Sequence, residues 1–158
     1  MFRRWAEARR RAASGRAAAD LQDWLTSIES IVAVCTGSLR DRVVASDIGV
    51  TLDRELMRFR NHAAGVRRPL RRHSRALAAR VAQTTDQVFH LRNLTCAFLL
   101  RWQSAEQIDP AAARALDARR EMEEARLQAS ESARGLVSTL ETLAPELRAL
   151  IAEWVGPS

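Results

Sequence analysis

The chain contains no lysine and no tyrosine, and asparagine occurs only at Asn61 and Asn93. All 25 of its basic residues are therefore arginine. Lysine, tyrosine and asparagine share AT-rich codons, and isoleucine is scarce as well, which points to a GC-rich, bacterial coding sequence. Arginine chosen over lysine ordinarily signals bidentate recognition of carboxylate or phosphate; here the genome supplies a second reason for the choice.

Six glycines and four prolines in 158 residues are too few for a turn-dense all-β chain, and β-branched residues never gather into alternating runs. Only four Trp and four Phe are present, so the core is expected to be built from Leu, Ala and Val with close helix approach. Long apolar runs are missing too. The best candidate, Leu91–Trp102, carries Arg92 and Arg101, too close together to cross a bilayer. The arginine-rich start runs into alanines and Asp20 rather than an apolar core, so no secretory leader is expected. Cys35 and Cys96 sit among apolar neighbours and read as two buried thiols in a reducing cytoplasm, not as a disulfide.

Catalytic and metal signatures are sparse. His62, His73 and His90 each lack a Glu three residues earlier, which a di-metal carboxylate bundle requires. There is no paired CxxC, no HExxH, no Walker loop and no glycine-rich dinucleotide turn. Asp86, His90 and Asn93 share one helical face and read as its solvated side; Glu121, Glu123 and Glu124 diverge around a helix and cannot share one ion. No cofactor, small-molecule substrate or enzymatic activity is expected.

What is present is helical periodicity. Leu21, Trp24, Leu25, Ile28, Ile31, Val32, Cys35, Leu39 and Val43 recur in steps of three and four. Ser46–Thr51, with Gly49, reads as a break, and a second period follows through Leu52, Leu56, Phe59, Ala63 and Val66. Gly65 and Pro69 predict a break or kink near residues 65–68, because proline suits a first helical turn better than an interior. A third helix is then expected from Pro69 to about Gln103, and a fourth from Pro110, capped by Asp109. Pro145 is expected to kink that helix or start a short final one. The expected fold is all-α: an elongated antiparallel bundle of about four long helices over residues 21–155, preceded by a basic arm over 1–20, helical or disordered.

Two basic stretches stand out. From Arg54 to Arg80 the chain holds nine Arg against Glu55 alone. Within it, Arg67, Arg68, Arg71, Arg72 and Arg75 can track phosphates, since releasing counterions rewards each neutralised phosphate whatever the base sequence. The competing reading leaves them on a solvated face or pairs them internally: residues 106–158 hold ten Asp/Glu against six Arg, so helix four can lie along the Arg-rich segment. The second stretch is the arm, where Phe2 and Trp5 accompany Arg3, Arg4, Arg9, Arg10 and Arg11 in a pattern suited to an anionic membrane surface.

Together these features predict a non-enzymatic interaction or scaffold module that self-associates or binds a helical protein partner. A sequence-indifferent nucleic-acid binder acting through the Arg-rich junction is the alternative. A cytoplasmic protein docked peripherally on membrane through its arm is the third reading.

Overall fold

A computed structural model describes residues 1–41 and 45–156. It is all-helical, with α1 over Phe2–Asp41, α2 over Ala45–His73, α3 over Arg75–Glu106 and α4 over Ala115–Val155. The described residues form no strand. Val43 of the first period and Pro157 lie outside the described residues.

Each helix buries one stripe at alternating steps of three and four, as a 3.6-residue period requires. In α2 the stripe is Leu52, Leu56, Phe59, Val66 and Leu70; in α3 it is Leu77, Val81, Thr84, Val88, Leu91, Thr95 and Phe98. Thr84 and Thr95 are polar members of that stripe. Their hydroxyls donate to the Arg80 and Leu91 carbonyls at 2.8 Å, which makes them fit to bury. In α4, Ala125, Ala129 and Ala133 form an alanine seam before Leu136, Leu143 and Leu147.

Helix α1 packs against all three others, and α3 packs against α2 and α4. Among the described residues α2 and α4 share no packed length, and they meet where His73, at the end of α2, stands edge-on to Trp154. Contacts ascend along one helix as they descend along its neighbour. Asp53 meets Arg92 and Phe59 meets Phe89; Arg80 meets Glu146 and Arg101 meets the Glu121 carbonyl. At the centre Trp24 stacks on Phe59 with ring centroids 5.8 Å apart, and its indole N–H donates to Thr85 Oγ1 at 3.3 Å.

The helix boundaries correct several expectations. Gly49 lies inside α2, not in a break. The helix also continues through Gly65 and Pro69 to His73, so no break falls at residues 65–68 and α3 starts at Arg75 rather than Pro69. The reason is burial: Val66 and Leu70 keep the phase of Leu56 and Phe59, and only a continuous helix puts all four in the core. Gly65 serves packing rather than punctuation, because a Cβ there would stand 2.5 Å from Asp20 Oδ2 of α1. The junction is made at Ser74, whose Oγ accepts the Leu77 N–H at 3.2 Å and caps α3. Asp109 caps a turn instead of a helix, accepting the Ala111 N–H at 2.9 Å, and α4 begins later at Ala115. Pro145 lies within α4, which runs unbroken to Val155.

Candidate anion-binding surface

The last turns of α2 set the geometry of the Arg-rich junction. With Val66 and Leu70 buried, a helix of this phase turns Arg67, Arg68, Arg71 and Arg72 outward. Ser74 holds the corner: its N–H donates to the Leu70 carbonyl at 2.7 Å while its hydroxyl caps the next helix. Arg75 opens α3 just beyond it. All five guanidiniums are exposed, and among the described residues none lies within ion-pairing distance of a carboxylate.

The basic start of α1 shares this end of the molecule. Asp20 of α1 is level with His62 and Gly65 of α2: His62 Nδ1 lies 3.1 Å from Asp20 Oδ1, and Nε2 lies 4.0 Å from Asp23 Oδ2. From that level α1 runs toward lower numbers and α2 toward higher ones, in the same direction. At 1.5 Å per residue, Arg11 stands about 14 Å beyond Asp20, and His73 stands about 12 Å beyond Gly65. Residues 2–16 are helical, and nearly all of their side chains are exposed until Ala17 and Ala18 enter the core. The arm expected over 1–20 is thus the first turns of α1. Phe2 is 88% exposed and Trp5 60%, with the Arg9 guanidinium 4.7 Å above the Trp5 ring.

One end therefore gathers Arg3, Arg4, Arg9, Arg10, Arg11 and Arg16 with the five junction arginines. His73 meets Trp154 edge-on at 6.4 Å, which brings the end of α4 there as well. The exposed acids at this end are Glu7 and Glu153, while Asp20 and Asp23 face His62. A surface so predominantly positive attracts anions over a Debye length, roughly 8–10 Å at ordinary ionic strength.

Elsewhere several arginines have partners. Arg80 pairs with Glu146 at 2.8 Å, Arg92 with Asp53 at 2.8 Å, Arg126 with Glu123 at 2.9 Å and Arg148 with Glu29 at 3.4 Å. Arg60 lies over the Phe89 ring at 5.3 Å. The expectation that helix four would pair the junction arginines is overturned. Its Ala and Leu stripe packs on α3 and α1, its end meets α2 through Trp154 against His73, and among the described residues Arg80–Glu146 is the ion pair it makes with the Arg54–Arg80 stretch.

The remaining candidates stay apart. Asp86, His90 and Asn93 are exposed, and Asn93 Oδ1 accepts from Arg92 at 3.2 Å. Glu123 is engaged by Arg126, whereas Glu121 and Glu124 are exposed. Among the described residues no group of three His, Cys, Asp or Glu side chains could hold a metal ion, and no helix is long and apolar enough to cross a membrane. Both cysteines are free thiols; burial pushes Cys35 up to about 11, against a lesser opposing hydrogen bond with Thr95, and raises Cys96 as well. Sequence reasoning missed two features that depend on which helices meet. One is His62 between two aspartates. The other is an open α1–α4 groove of two adjoining cavities, about 540 and 560 Å³, that share Thr36, Arg40, Val137 and Glu141.

No protein-family model, curated protein or solved structure matches this chain.

Proposed function

We propose that this chain is a non-enzymatic helical interaction module, an elongated antiparallel bundle that attaches to a polyanionic partner through its cationic end. The observation that carries the reading is the exposure of Arg67, Arg68, Arg71, Arg72 and Arg75 with no carboxylate partner among the described residues, beside the basic first turns of α1. Arginines that merely solvate a helix are usually interspersed with acids. Here the ion pairs that α4 makes use Glu146 and Glu123, and neither meets a junction arginine, so that charge is left for something outside the chain.

Retention on heparin at low salt tests the reading. The wild-type chain is expected to bind and to elute steeply with salt. Replacing Arg67, Arg71 and Arg75 together by Gln should shift elution to lower salt and reduce the log–log salt slope by about three, roughly one per lost contact. A wild-type chain that passes straight through heparin at low salt rejects it.

A second reading, self-association, is favoured by the α1–α4 groove. Its floor is small and apolar, with Val32, Ala33, Val137 and Leu140. Its rim carries both signs, Glu29 paired with Arg148 and Glu141 near Arg40, so the apolar floor is what a second copy would cover across a two-fold axis. Val137 is 42% exposed there. Sedimentation equilibrium should show a dimer that Val137→Glu dissociates; a wild-type monomer at high concentration sinks this reading and leaves the first intact.

A further inference from the structure

We propose that the cationic end docks on an anionic phospholipid membrane, with Phe2 and Trp5 entering among the lipids and the arginines meeting the headgroups. The inference rests on the reading of this end as an anion-binding surface. It names the partner.

Three observations favour a membrane. The first is where aromatic rings are exposed. Trp24, Phe59 and Phe98 are buried, and Phe89, Trp102 and Trp154 are half-buried. The two exposed rings, Phe2 and Trp5, both lie at the start of α1, within the cationic end. Contacts to duplex phosphates make no use of exposed rings, and single-strand binding needs them interleaved along the basic track. Beside the junction arginines the nearest ring is His73, already packed on Trp154.

The second observation is the company the exposed ring keeps. Arg9 stands over the Trp5 ring at 4.7 Å, one turn along α1, which puts cation and aromatic at one depth, as at a headgroup boundary.

The third is reach. Trp5 stands about 22 Å beyond Asp20, while α2 ends about 12 Å beyond Gly65, so the rings lead the junction arginines by roughly 10 Å. Insertion to an interfacial depth of about 5–10 Å brings Arg71 and Arg75 within a Debye length of the headgroups. Tip and junction would then act on one surface together. That division of labour matters because a thin apolar tip alone binds weakly.

The test uses the full chain with phosphatidylserine–phosphatidylcholine vesicles, pure phosphatidylcholine vesicles, heparin and a DNA duplex at the same salt. Expected are co-sedimentation with the anionic vesicles and little with the neutral ones. Replacing Phe2 and Trp5 by Ala should lower the vesicle partition at least about tenfold and leave heparin retention unchanged. The Arg67→Gln, Arg71→Gln, Arg75→Gln variant should weaken both, and circular dichroism checks that each variant is folded. Heparin retention without anionic-vesicle binding overturns the membrane assignment while the anion-binding reading stands. So does a vesicle partition indifferent to Phe2 and Trp5, or duplex binding that anionic vesicles fail to displace, which would assign nucleic acid instead. A chain that binds neither heparin nor vesicles ends both.

Discussion

Arginine meets two fates in this molecule. Along the middle, Arg80, Arg92 and Arg148 are each held by a carboxylate on a neighbouring helix, and Arg60 by an aromatic face. At the end formed by the start of α1 and the α2–α3 junction, guanidiniums outnumber acids, and those of the junction have no ion-pair partner among the described residues. The same residue type thus serves architecture in one region and is available to a partner in the other. What faces them decides which: packed neighbours bring Glu146, Asp53 and Glu29 within reach of the first group, and no described carboxylate comes within reach of the junction arginines.

The comparison can be broken most forcefully from the middle. Trp24→Ala removes a fully buried ring stacked on Phe59 and its bond to Thr85, and should cost about 3–5 kcal/mol in urea unfolding. Wherever that variant is still folded, its heparin elution should match the wild type, since the cationic end is untouched.

Alkali should also act on the middle. The Cys35 thiol goes from 9.0 to about 11 on burial, so the fold favours the protonated form. The stabilisation is complete below pH 9 and falls as pH climbs toward 11, because the unfolded chain ionises first. The loss is about 2–3 kcal/mol, and Cys35→Ala should flatten that alkaline limb of the urea midpoint. Arginine stays charged throughout that range.

Smaller effects sharpen the contrast. Arg92→Ala removes a half-buried guanidinium bonded to Asp53 and Asn93 and should cost about 1 kcal/mol. Arg71→Ala, at an exposed residue with no ion-pair partner among the described residues, should change unfolding by less than about 0.5 kcal/mol yet lower heparin retention. If Arg71→Ala destabilises as much as Arg92→Ala, the two fates are one.

How much of this could be read beforehand follows from what sequence periodicity encodes. The apolar stripes of all four helices were legible, because Leu52, Leu56, Phe59 and Val66 can share a face in only one conformation. The end of α2 was misread, because Gly65 and Pro69 carry two meanings. A glycine that breaks a helix and a glycine that admits Asp20 of another helix look alike until the partner is known. Threonines such as Thr84 and Thr95 escaped the core for a related reason, since a hydroxyl bonded to its own helix buries as readily as valine. The five junction arginines were identified as a cluster, but their lack of partners was not. Ion pairing here joins residues tens of positions apart, Arg80 to Glu146 for example, and depends on which helices neighbour each other.

Pro69 gives the cationic end one more property. Having no N–H, it leaves the helical ladder of α2 without the rung from residue 69 to the Gly65 carbonyl, just where the arginines begin. The last turn of α2 is therefore joined to the rest by one hydrogen bond fewer, and Leu70 and the Ser74 corner hold it down. Amide hydrogen exchange should find Arg71–His73 opening at lower free energy than Leu56–Phe59 of the same helix. A stripe of charge mounted on such a segment can adjust its curvature to whatever it meets, while the helices behind it keep their register.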